Sequence, residues 1–235
     1  MEFALNFLRS NAGIDSPALL SSPFLLVTLA YFGHRRDYQI VPDESSLLRY
    51  WVLVANAKGR YSRGSSETIL DQDLSILRQD GGVQELIDRL RLQVGRLDVT
   101  AEELEGRNQR SALFKTMFLA FRGAGAKDWR SNLAIALDHS GAQHRLQFHH
   151  IFPKALLIKS GYTSREADDI ANLSFIGGKT NRAISDKHPA IYFPPLIEKI
   201  GHLSFATQCI PIDKTVLEVD RYKSFLEKRR EAVAL

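Results

Sequence analysis

Only one of the 235 residues, Cys209, is a cysteine. A lone thiol excludes a disulfide within the chain and any cysteine-rich zinc knuckle; between Gln208 and Ile210 it reads as a small buried hydrophobe in a reducing compartment. Long apolar runs are lacking too. Residues 23–32 form an apolar stretch too short to span a bilayer. Residues 1–9 include Glu2 and lack a basic start leading into an apolar core, which argues against a secretory signal. A cytoplasmic protein with no membrane partner is therefore expected. No internal repeat, heptad array or low-complexity segment is present, which argues against solenoids and coiled coils. Gly178-Lys179-Thr180 has the ending of a phosphate-binding loop, but Leu173 stands where that motif requires a glycine. No nucleotide site is expected there, and Gly177-Gly178 reads as a tight turn.

What the chain does contain is ordinary for a globular protein: 44% hydrophobic and 25% charged residues, enough to bury a core. The net charge of +4 leans towards a polyanionic partner. The excess is uneven, since residues 1–145 carry 18 basic and 17 acidic side chains and residues 146–235 carry 13 and 10. Six of the seven histidines also fall between His139 and His202, so chemistry is expected in the C-terminal part.

Residues 1–140 read as a helical domain. Phe24, Leu25, Val27, Leu29 and Phe32 predict a buried helix ended by Gly33, and Leu47, Leu48, Trp51, Val52 and Ala55 predict the next, capped by Asp43 or Ser45. Residues 67–77 and 83–92 predict two amphipathic helices, Thr100-Ala101-Glu102-Glu103 is a capping box, and residues 113–121 form an apolar helix. Between them, the turn-rich stretch 59–66 carries Arg60 and Arg63; it reads first as a helix connection and second as a phosphate contact. Tyr61 and Trp129 read as core aromatics, with base stacking as the alternative. Residues 123–141 are the expected boundary.

The informative stretch is residues 148–189. His149 and His150 end a short apolar run that Pro153, lacking an N–H, must terminate. Successive strand side chains face opposite ways, so a turn beside the pair is expected if one imidazole is to face a metal. Residues 154–159 predict a helix. Thr163-Ser164-Arg165-Glu166 is a second capping box, within whose short helix Asp168 and Asp169 read as favourable first-turn charge rather than catalytic groups. Asn172 opens a strand-like run, Leu173-Ser174-Phe175-Ile176, and after the glycines a helix carries Asn181, Arg182 and Ile184, closed by Pro189. Beyond it come a Phe193-Pro194-Pro195 turn, a helix over 196–200 and a final amphipathic helix. Its terminal Lys228-Arg229-Arg230 suits the helix dipole, and its apolar face is expected to pack back on the N-terminal helices.

This strand, insert, strand and helix, with His-His, Asn-Leu and Asn-Arg at the joints, resembles the HNH (His-Me finger, ββα-metal) nucleases. In particular it is similar to the C-terminal part of GmrSD-like modification-dependent restriction enzymes, whose helix pattern Asn-Arg-x-x-Ser-x-x-x-Pro is matched from Asn181 to Pro189. The resemblance implies a predominantly helical α+β fold: a helical bundle, then a ββα-metal motif with C-terminal helices over residues 141–235. It makes His149 and Asn181 metal ligands, His150 the general base and Asn172 the brace that orients it; Arg182 and Lys187 are candidate substrate contacts. It implies a divalent metal ion, Mg²⁺ in the cell, although the imidazole of His149, where many such sites have aspartate, favours borderline ions such as Mn²⁺, Ni²⁺ or Zn²⁺. DNA is the expected partner, and a homodimer would allow cleavage of both strands. In the resembling enzymes a nucleotide-dependent domain precedes this region; no motif of it is present here, so the chain resembles a C-terminal half. The residue chemistry agrees with the assignment, because an unprotonated imidazole can take a proton from water while an ion with open positions neutralises phosphate charge. The expected function is hydrolysis of DNA phosphodiesters in bacterial restriction of foreign or modified DNA. The alternatives are a non-catalytic nucleic-acid-binding or regulatory module on a degenerate scaffold, and an RNA-directed nuclease toxin.

Overall fold

The computed structural model describes residues 1–62 and 64–234. Arg63, one of the two basic residues of the 59–66 stretch, lies outside the described residues. The protein is predominantly helical with one small antiparallel sheet of two strands, β1 (Leu146–His150) and β2 (Leu173–Gly177). Among the described residues, no helix is long and apolar enough to cross a membrane. Two compact units are formed: residues 1–99 with 111–119, and residues 100–110 with 120–235.

The first unit is helical. Leu25, Leu29 and Phe32 of helix Phe24–Arg35, Trp51, Val52 and Ala55 of Pro42–Ala57, and Leu86 and Leu90 of Val83–Val94 are buried, as their helical spacing predicts. Gly33 does not end its helix, which runs on to Arg35. The glycine serves packing instead: a Cβ there would come within 2.4 Å of the Phe3 ring. Arg60 is no phosphate contact either. It is 1% exposed and donates through Nε to Asp73 Oδ2 at 2.7 Å and through Nη2 to Asp73 Oδ1 at 2.5 Å. The Tyr61 hydroxyl also donates to Asp73, at 2.6 Å.

The second unit packs short helices around the sheet. Its core gathers Trp129, Phe152, Ile176, Phe193, Phe205, Tyr222 and Phe225. Both capping boxes form as read, at Thr100 with Glu103 and at Thr163 with Glu166. One helix differs from expectation: Pro189–Ile200 is continuous through Pro194 and Pro195. The prolines remove intrahelical donors, yet Tyr192 and Phe193 are buried in the core and Pro189 and His188 start the helix, its Nδ1 accepting from Ala190 N at 3.1 Å. Tertiary burial outweighs the local break. The terminal basic cluster is likewise structural. Arg229 is fully buried, donating to Ala171 O at 2.8 Å and Gln208 O at 3.1 Å, and Arg230 reaches Asp169 at 2.6 Å. Cys209 is only partly buried and adopts a positive φ of 52°.

Candidate functional site

Strand β1 stays regular through both histidines, each residue paired with β2 from Leu146 opposite Gly177 to His150 opposite Leu173. The chain bends immediately past the pair, at Ile151 and Phe152, so the histidines sit at the strand exit as expected, but the bend does not turn both imidazoles one way. Alternation instead sends Phe148 and His150 to one face and His149 to the other, and accordingly His149 is 3% exposed while Phe148 is 44% exposed. Pro153 then takes the N-cap position of helix Lys154–Lys159.

His149 and Asn181, 32 residues apart in sequence, meet with Nδ1 and Oδ1 2.8 Å apart. The imidazole lies perpendicular to the rings of Trp129 and Tyr192, both at 5.9 Å. Burial above all holds its pKa down to about 4, helped by His150 and opposed by the Asn181 bond. The ring is therefore neutral at physiological pH, the form that binds metals. Among the described residues, its Nε2 is buried without a hydrogen-bond partner. If Nδ1 carries the proton, that Nε2 lone pair is stranded among aromatic rings. If Nε2 carries it, the N–H can rest weakly against a ring face, but the Nδ1 lone pair then opposes the Asn181 oxygen. A cation shared by the two donors resolves that opposition. Asn181 is half-buried, which leaves the pair reachable. The residues thus fit a divalent ion held by one nitrogen and one oxygen. Among the described residues, no cluster of three or more His, Cys, Asp or Glu could supplement them, so most coordination positions would fall to water and substrate.

The Asn181 helix, Gly178–Ile184, is positioned by a residue the sequence did not single out. Asp128 accepts from Gly177 N at 2.6 Å, Thr180 Oγ1 at 2.8 Å and Ser131 N at 2.8 Å. Gly178 must be glycine, because a Cβ would lie 2.3 Å from Ala142 O. Burial tends to raise the Asp128 pKa, but the hydrogen bonds from Ser131, Gly177 and Thr180 outweigh it and hold the carboxyl below its ordinary 3.8. A depressed carboxylate contributes stability that is full above its unfolded pKa and is lost as pH falls through the folded one. Asp128→Asn should therefore lower stability at neutral pH while flattening the loss below pH 4 that the wild type shows; urea unfolding at pH 7 and pH 3 measures both.

His150 is held on the opposite face by Asp168, whose Oδ1 lies 3.0 Å from Nε2; Lys154 Nζ donates to the other oxygen at 2.5 Å. The sequence places Asp168 within the capped helix as first-turn charge, but that helix ends at Ala167 and Asp168 is its C-cap. The residue is therefore aimed back at β1. Its burial raises the carboxyl pKa, and the bonds from Lys154 and His150 more than compensate, leaving it below the ordinary value. The helix length set by the capping box was the available signal. Chemically, a carboxylate on Nε2 fixes that nitrogen as the donor and leaves Nδ1 to accept a proton.

Asn172 is fully buried. Its Oδ1 accepts from Phe152 N at 2.8 Å, and its Nδ2 donates to Phe152 O at 3.0 Å and Ala167 O at 2.9 Å. It ties the exit of β1 to the end of the Asp168 helix, and among the described residues its side chain hydrogen-bonds to neither histidine. Asn172→Leu strands these main-chain groups and should cost about 2–3 kcal/mol, read as a shift of the denaturant midpoint. The other two candidates lie elsewhere. Arg182 donates to Ala142 O at 3.0 Å, and Lys187 bonds back to Ala183 O at 3.1 Å.

No family model matches the chain, and no solved structure matches it significantly. The sequence is 26% identical over 184 residues to the uncharacterized protein MJ0686 of Methanocaldococcus jannaschii, covering 75% of this chain and 29% of that protein. The chain thus spans less than a third of the length of the curated relative it matches.

Proposed function

We propose that the chain is a metal-dependent endonuclease of the HNH (ββα-metal) type that hydrolyses DNA phosphodiesters in bacterial restriction of foreign or modified DNA. The observation that carries this reading is the meeting of His149 and Asn181 at 2.8 Å, from strand and helix, with the imidazole of the next residue, at the same strand exit, oriented by a carboxylate. A divalent ion held by His149 and Asn181 would supply the positive charge that phosphoryl transfer needs. His150 takes the proton of the attacking water at Nδ1, and Asp168, a partly exposed carboxylate, steadies the imidazolium that results. Lys154 keeps Asp168 ionised. Asn172 holds the exit of β1, and with it His150, in place. Arg182 and Lys187 are lesser candidates for backbone contacts, since both now serve main-chain carbonyls. In this reading the protein works in the cytoplasm, recognition of modified bases resides in a nucleotide-dependent domain or subunit outside the chain, and cutting both strands calls for a second copy.

One observation favours a different reading. His149 faces the interior and His150 the surface, so the same scaffold would suit a nucleic-acid-binding module that has lost catalysis. Metal binding separates the two. A catalytic site should bind Mn²⁺ and raise the melting temperature of the wild type but not of Asn181→Ala, measured by titration calorimetry and thermal shift. Equal behaviour of both proteins would remove the metal from the reading.

A further inference from the structure

The face of β1 that carries His150 also carries Phe148, a large aromatic left 44% exposed. Its ring is braced edge-on by Phe175, with centroids 5.8 Å apart and planes at 88°. Across from it runs the 106–110 segment, which three hydrogen bonds fix. Gly106 N donates to Asp169 Oδ2 at 3.0 Å, Ile170 N donates to Arg107 O at 2.8 Å, and Arg110 N donates to Asn108 Oδ1 at 2.9 Å. The acid beside Asp168 in sequence thus brings a distant loop to the histidine. Phe148, Asn108, Arg110, His150, Asp168 and Leu173 together wall a recess of about 160 Å³.

We propose that this recess binds one unstacked nucleotide of a nucleic-acid strand, its base on the Phe148 ring and its phosphate at the Arg110 guanidinium. A cavity of about 150 Å³ can hold a benzene ring, so the recess suits one ring-sized group. An aromatic face stacks any base, and a guanidinium pairs with phosphate through parallel hydrogen bonds. The carboxylate of Asp168 does not repel the phosphate, because His150 and Lys154 already engage it. The larger groove of the unit, about 590 Å³, is walled by six carboxylates and three cations and is a poor host for a polyanion. If the nuclease reading holds, the nucleotide in the recess belongs to the strand being cut, and the proposal rests on that reading for this point alone. The substrate would then be single-stranded or locally unpaired at the site.

The test is binding of a short fluorescent single-stranded oligonucleotide to the full chain in EDTA, followed by anisotropy, with the matching duplex as comparison. Single strand should bind tighter than duplex. Phe148→Leu, which keeps an apolar side chain but removes the ring, should weaken binding by about 5- to 150-fold, and Phe148→Trp should restore it. Arg110→Ala should weaken binding and lower the slope of log Kd against log salt by about one. Circular dichroism and melting temperature check that each variant is folded. No wild-type binding, or binding unchanged by both Phe148→Leu and Arg110→Ala, overturns the proposal. Ring-dependent binding by a protein that cleaves no nucleic acid would uphold the recess and defeat the nuclease reading; cleavage with wild-type KM in both variants would do the reverse.

Discussion

Replacing His150 with alanine is expected to reduce metal-dependent nicking of supercoiled plasmid by about 10²- to 10⁴-fold, the usual contribution of a general base. The side chain is partly exposed and its one hydrogen bond goes to Asp168, so the variant should fold. Metal affinity should be unaffected, because the proposed ligands, His149 and Asn181, lie across β1. This combination of lost rate and kept metal distinguishes loss of a base from loss of the site. The assay compares unmodified and base-modified plasmid with Mg²⁺, Mn²⁺ or Ni²⁺. If wild type and variant nick equally, His150 is not the base. If neither nicks, the chain acts only with a partner or is a binding module, and the Mn²⁺ titration decides between these.

The largest stability effect is expected far from the histidines. Asp73→Ala should cost about 3–5 kcal/mol, the range for removing one partner of a buried ion pair. Asp73 is wholly buried and accepts from Arg60 twice and from the Tyr61 hydroxyl. Among the described residues, Arg60 would then keep only Gln93 as a side-chain acceptor, at 2.6 Å, with its charge buried and without a carboxylate. Replacing both residues together by apolar side chains should recover much of the loss, since the penalty comes from the stranded cation. Denaturant unfolding of the single and double variants measures this. A single variant within 1 kcal/mol of wild type, on the scale of an exposed pair, would show that Arg60 reaches solvent.

Local signals carried the elements well. The boxes at Thr100 and Thr163, the apolar periodicity of the early helices and the Gly177-Gly178 break lie where the backbone changes course, because each acts over one helical turn or one strand. The strand that holds His149 and the helix that holds Asn181 were legible for the same reason. Long-range partners were not. Asp128 positions the Asn181 helix from 49 and 52 residues away, and nothing in its neighbourhood marks it. Arg60 reads as part of a helix connection and Arg229 as helix-end charge, because a single arginine looks the same in sequence whether its carboxylate or carbonyl partner exists or not. Prolines 194 and 195 read as a break, since propensity counts the missing donors and not the core face that offsets them.

By itself the sequence determined a predominantly helical α+β chain, the two strands, and the adjacent histidines on one element with an asparagine on a following helix, since periodicity and capping are written in neighbouring residues. Only the tertiary structure decided which imidazole faces which way. Strand β1 stays regular, so alternation drives His149 against Asn181 and the aromatic core and sends His150 out to Asp168, Phe148 and the Arg110 loop. That outcome depends on the register with β2 and on contacts across tens of residues, which no window of sequence contains.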